Sequence, residues 1–138
     1  MRITKKYINE LAYKVIGCAI EVHKHLGPGL LESVYEKCFL KELELQGLKY
    51  RNQICRPLNY KGLLIDTELR LDVFVEELIS VELKAQEGFV PVHDAILLSY
   101  MHMLESPKGI LINFHCLNIM TGGQKTFVNG FFAELPNI

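Results

Sequence analysis

The chain has 138 residues, 49% hydrophobic and 22% charged, with a formal net charge of −1. That is the size and make-up of one globular domain, residues 1–138, long enough to bury about two-thirds of its unfolded surface. No run nears the roughly 20 apolar residues of a membrane span, MRITKKYINE lacks a signal-peptide core, and the basic excess of a non-specific nucleic-acid coat is missing. Any contact with nucleic acid must come from a local patch, a bound cation or a dimer. Cys18, Cys38, Cys55 and Cys116 are far apart with no C-x-x-C pair, which points to free thiols and a cytoplasmic protein.

In chain order, Tyr7–His25 carries Ile8, Leu11, Ala12, Val15, Ile16, Ala19 and Ile20 at helical spacing, and Gly27-Pro28-Gly29 ends that helix. A second helix is expected from about Leu31 to Gln46, stopping at Gly47. An extended stretch, Lys49–Arg56, and a short strand and turn around Asn59–Gly62 come next. Leu69, Leu71, Val73 and Val75 then alternate with Glu68, Arg70, Asp72 and Phe74, the pattern of a half-buried strand. After a polar turn, Ile79, Val81 and Leu83 alternate with Ser80, Glu82 and Lys84. If both apolar rows share the core face, odd positions pair with odd across a Glu76-Glu77-Leu78 loop, or across a bulge. Asp72 then lies opposite Glu82, with Cβ atoms roughly 5 Å apart. Carboxylates that close repel unless a proton or divalent cation sits between them, so the pair reads as a metal site.

Beyond the hairpin, Pro91 precedes a third helix, Val92–Glu105, that breaks at Pro107. Gly109–His115 reads as a buried strand, Thr121–Gly123 as a turn and Lys125–Phe132 as a last strand. After the first helix the order is α-β-β-β-α-β, an α/β arrangement with a mixed sheet flanked by helices.

An aspartate on one strand and Glu-x-Lys on the next, inside that order, resembles the PD-(D/E)xK nuclease superfamily. Gly29-Leu30-Leu31-Glu32-Ser33-Val34-Tyr35 fits G-x-x-E-x-x-Y and is similar to the GxxExxY family within it. The resemblance implies a restriction-endonuclease-like core with an extra N-terminal helix and a C-terminal strand. It also implies Mg²⁺-dependent hydrolysis of phosphodiester bonds in nucleic acid, with DNA the expected substrate and Mn²⁺ a substitute ion. Magnesium suits one or two carboxylates plus water and phosphate. Asp72 and Glu82 are the expected ligands, with the Leu83 carbonyl as a third. Lys84 would orient the attacking water or stabilise the transition state. The resemblance sets Glu32 beside them, as a metal ligand directly or through water. Tyr35, one helical turn on, is a candidate to bond phosphate or Glu32, against the plainer role of a packing residue.

Related nucleases often carry Q-x-x-x-Y on the third helix, whereas this chain has Ile96 and Tyr100 there. His93, three positions earlier on the same face, is the candidate to inherit the polar role, and with Tyr35 and Tyr100 it completes the expected substrate-binding set. Leu71 stands where the motif has proline. Lys14, His23, Lys24 and His25 form a basic patch that matters only if it reaches the mouth of the site. The alternative function is a non-catalytic nuclease-fold module binding nucleic acid or a protein partner; residue by residue, the plainer readings are a solvated ion pair for Glu82 and Lys84 and a helix-dipole acid for Glu32. On the metal-site reading, Asp72→Ala should abolish Mg²⁺ binding with melting temperature unchanged or raised, because carboxylate repulsion is relieved. A homodimer, through the first helix or Gly130–Phe132, is one way for so small a chain to cover a duplex.

Overall fold

The computed structural model describes residues 2–66 and 70–138, so the expectations for Glu68 and Leu69 lie outside the described residues. The elements run α1 (Lys5–Leu26), α2 (Glu32–Leu45), β1 (Tyr50–Cys55), β2 (Leu58–Tyr60), β3 (Leu63–Ile65), β4 (Arg70–Val75), β5 (Ile79–Lys84), α3 (Pro91–Met103), β6 (Lys108–Asn113), α4 (Ile119–Gly122), β7 (Gln124–Val128) and α5 (Gly130–Ala133). Thr4 caps α1 by accepting from the Tyr7 amide. Its apolar stripe, Ile8 to Val22, is spent on the core. The helix therefore does not offer that stripe to a second chain, as the dimer expectation would need.

Five strands form one sheet in the order β1-β4-β5-β6-β7. All neighbours are antiparallel except β5 and β6, which run parallel with α3 as the crossover. With α2 in front, β1, β4, β5, α3 and β6 make the expected α-β-β-β-α-β core, on which α1 packs as an added helix. β2 and β3 form a separate, wholly exposed hairpin between β1 and β4. No helix among the described residues is long and apolar enough to cross a membrane.

The half-buried reading of β4 and β5 is corrected, because the sheet is covered on both faces. Val73, Val75, Ile79, Val81 and Leu83 pack toward α1 and α2, while Phe74 and Leu111 pack against Leu97, Tyr100 and Met101 of α3. Even Ser80, on the expected polar row, is fully buried. The α3 side is tight: a Cβ on Gly109 of β6 would lie 2.5 Å from Met101 Sδ.

Three boundaries also move. The α3 helix ends at Met103 rather than running to Glu105, because Glu105 turns left-handed (φ 53°) and Ser106 N–H closes on Met101 O. The expected turn at Thr121–Gly123 is largely the short helix α4, capped by Asn118. The last strand stops at Val128, since Asn129 accepts from Phe132 N–H and starts α5. There Phe132 packs on the core with the ammonium groups of Lys5 and Lys108 over its ring.

Candidate active site

The turn of the β4–β5 hairpin follows the expected register: Val75 pairs with Ile79 and Val73 with Val81, leaving Glu76, Glu77 and Leu78 in the loop. Glu76 and Glu77 have φ of 53° and 57°, and Leu78 N–H donates to Val75 O. A tight turn with two positive-φ centres matches the twist of the flanking strands. Beyond Val73–Val81 the ladder changes character. Asp72 N–H donates to Glu82 Oε1 at 3.0 Å, and Leu83 N–H donates to Asp72 Oδ2 at 2.8 Å. Each carboxylate is thus held by the backbone of the opposite strand.

This cross-bracing explains how two buried acids share one place. Burial raises the pKa of both, most visibly at Glu82, which is pushed up to about 8 with Asp72 adding to the effect. The Leu83 amide and Lys84 oppose the rise at Asp72, as the Asp72 amide and Lys84 do at Glu82. Lys84 Nζ lies 3.9 Å from Glu82 Oε2, and both side chains are largely buried, so this is not the solvated ion pair of the plainer reading.

One oxygen on each acid, Asp72 Oδ1 and Glu82 Oε2, accepts no backbone amide. Two hard carboxylate oxygens without a thiolate or imidazole beside them suit Mg²⁺ or Mn²⁺ better than zinc. Among the described residues, no three His, Cys, Asp or Glu side chains are gathered closely enough to form a metal cage. Glu32 therefore stands outside the pair rather than inside a three-acid cluster. It opens α2 at the exposed rim of the site, near enough to feel Lys84 and Asp72. Partial burial raises its pKa, Lys84 lowers it, and Asp72 and Glu36 raise it again.

Tyr35 is corrected as a substrate-binding residue. It is fully buried and stacked on Phe114 with ring centroids 4.4 Å apart. Its hydroxyl donates to Gly27 O and accepts from Leu30 N–H, so it ties the Gly27–Gly29 bend to α2 and has no reach toward phosphate. His93 sits at the start of α3 with Nδ1 buried and unpartnered, and desolvation followed by the charge of Lys84 lowers its pKa. Tyr100 is a buried α3 residue whose phenol is raised to about 12 by burial, then by Glu82 and Asp72. Both thus lie on the site's side of α3, while Ile96 packs into the apolar layer beside them. The basic patch does not act as a group: His23 bonds Cys116 O, and Lys24 and His25 meet Glu21.

Three residues were not anticipated. Glu36, one helical turn after Glu32, is near enough to Asp72 for burial and then that charge to raise its pKa, and i,i+4 spacing is the signal that would have found it. Gln53 on β1 donates to Glu36 Oε1 at 2.6 Å and contacts Asp72 Oδ1 at 3.4 Å. Buried Asn113 donates to Gln86 O and Gly88 O and accepts from the Gln86 and His115 amides, pinning the loop that links Lys84 to α3. Neither of these last two carries a sequence signal.

A mixed sheet with a crossover helix, a cross-braced Asp/Glu pair and a lysine two residues on are the marks of a restriction-endonuclease-like fold. Comparison with known families agrees: the profile described as PD-(D/E)XK nuclease superfamily matches residues 9–126. The chain belongs to the PD-(D/E)XK nuclease superfamily, whose members typically use divalent metals and act on nucleic acid. No curated protein and no solved structure matches it.

Proposed function

We propose that the protein is a Mg²⁺-dependent nuclease of the GxxExxY type, hydrolysing phosphodiester bonds in DNA. The observation that carries this reading is the cross-bracing of the acids: the Asp72 amide donates to the Glu82 carboxylate and the Leu83 amide to the Asp72 carboxylate. It fixes both carboxylates while leaving Asp72 Oδ1 and Glu82 Oε2 to face a cation. A divalent ion held there supplies Lewis-acid activation of water and neutralises charge at the scissile phosphate.

The chain's own groups do the rest. Lys84, beside Glu82, is placed to orient the attacking water and to stabilise negative charge at the phosphoryl oxygens. Glu32 at the rim would hold water beside a bound cation. His93 and Tyr100 border the site from α3, His93 with a buried, unpartnered Nδ1. The G-x-x-E-x-x-Y match supports the family assignment, with Glu32 its chemical member and Tyr35 its architectural one.

The test is a cleavage screen of duplex DNA, single-stranded DNA and RNA with Mg²⁺ or Mn²⁺, comparing wild type with Asp72→Asn and Glu82→Gln. Metal-dependent cleavage lost in both variants is expected. Nucleic-acid binding without cleavage, unaltered in either variant, would make the protein a non-catalytic module instead.

A further inference from the structure

We propose that Gln53 is a positioning residue that sets the orientation of Asp72 Oδ1 and ties Glu36 to the site; the inference rests on the nuclease reading above. Three observations meet at this residue. In the β1–β4 ladder, Asn52 pairs with Val73 and Ile54 with Leu71, but the step between them, Gln53 opposite Asp72, is skipped. At that step the Gln53 backbone adopts φ 51°, a left-handed conformation that a mid-strand glutamine rarely takes. The distortion coincides with a change of side: Val73 packs toward α1 and α2, whereas Leu71 and Ile54 pack with the α3 layer.

The side chain shows what the distortion achieves. Gln53 Nε2 donates to Glu36 Oε1 at 2.6 Å and touches Asp72 Oδ1 at 3.4 Å. Glycine or asparagine would fit the backbone more easily. Glutamine adds a neutral amide long enough to span two acids. A lysine or arginine there would compete with a cation, but an amide restrains the carboxylate without neutralising the pair. Asp72 is then held at both oxygens: Oδ2 firmly by the Leu83 amide, and Oδ1 by a long contact that yields to a stronger partner. With Ile96 apolar on α3, the neutral polar donor reaches Asp72 from β1 instead.

Two arms on the full chain test this. In the metal-free protein, the Gln53 side-chain amide is identified by ¹⁵N NMR from its loss in Gln53→Met. Its resonances should move in both Glu36→Gln and Asp72→Asn. By calorimetry, Gln53→Met and Gln53→Gly should weaken Mg²⁺ binding by about 10- to 100-fold, the usual effect of losing a group that orients a ligand. Cleavage should lose kcat with KM for DNA unchanged. Gln53→Gly relaxes the left-handed backbone, so its melting temperature should hold or rise while its Mg²⁺ affinity falls, which separates positioning from a structural role. Wild-type Mg²⁺ affinity in Gln53→Gly, or an amide indifferent to Asp72→Asn, would overturn the proposal. If wild type itself neither binds Mg²⁺ nor cleaves, the nuclease reading fails, and the amide arm alone decides whether Gln53 holds Asp72.

Discussion

The two ends of the β4–β5 hairpin use the same alternating pattern for opposite purposes. At the turn, Val75 and Ile79 pair through an ordinary ladder and bury both side chains completely. Three residues further along each strand, the ladder gives way to cross-bracing: the Asp72 amide donates to the Glu82 carboxylate and the Leu83 amide to the Asp72 carboxylate. The first end contributes stability through apolar area. The second accepts an electrostatic penalty, two buried acids with raised pKa values held side by side. Stability and chemistry are thus separable along a single pair of strands.

The separation can be broken most sharply at the site. Asp72→Asn and Glu82→Gln should each remove Mg²⁺-dependent cleavage while leaving the melting temperature equal or higher, because the amide oxygen still accepts the facing N–H and carboxylate repulsion disappears. Asp72→Ala should behave differently from the expectation drawn from sequence. It strands the Leu83 N–H, and an orphaned buried donor costs about 1–3 kcal/mol, so chemical denaturation should show a clear loss of stability. At the turn end, Ile79→Ala should cost about 2–5 kcal/mol in denaturation while Mg²⁺ affinity by calorimetry stays at the wild-type value.

The third expectation concerns pH. The folded protein keeps the Glu82 proton up to about 8, whereas the unfolded chain releases it near 4.5. Between those values the folded state binds more protons, so the stability of the metal-free protein should fall as pH rises through that window. Asp72→Asn should flatten the slope, and saturating Mg²⁺ should oppose it. Thermal melts at several pH values, with and without the ion, measure both. The smallest effect belongs to the turn: Glu77→Gly relieves a left-handed backbone but gives up the exposed ion pair with Arg51. The net change should stay within about 1 kcal/mol, without effect on metal binding.

What could be read from sequence was whatever depended on period and spacing. The alternation at Val73–Leu83 gives strand direction, register and the Asp72–Glu82 juxtaposition, because a one-residue slip would turn the apolar row away from α1 and α2. What could not be read was packing on the second face. Nothing in Ser80 or Phe74 announces that α3 lies over them. Gln53 was equally silent, since its part depends on a backbone distortion and on Glu36 from a helix 17 residues earlier. Asn113 looks like the polar end of a strand until the loop it holds is seen. For Tyr35 the packing role holds and the phosphate contact does not, because motif spacing says which residues share a face and not which one is enclosed.

That last residue bears on how relatives of this chain should be sorted. Tyr35, clamped between the Gly27 carbonyl, the Leu30 amide and the Phe114 ring, is built into the core whether or not the acids are used. Glu32, exposed at the rim, can be replaced without disturbing the core. A descendant that drops Glu32, Asp72 or Lys84 but keeps Gly29 and Tyr35 would fold, persist and still score as a member of the lineage. Counting such sequences as working nucleases would inflate the census, and the strand acids, not the helix tyrosine, are the letters to check.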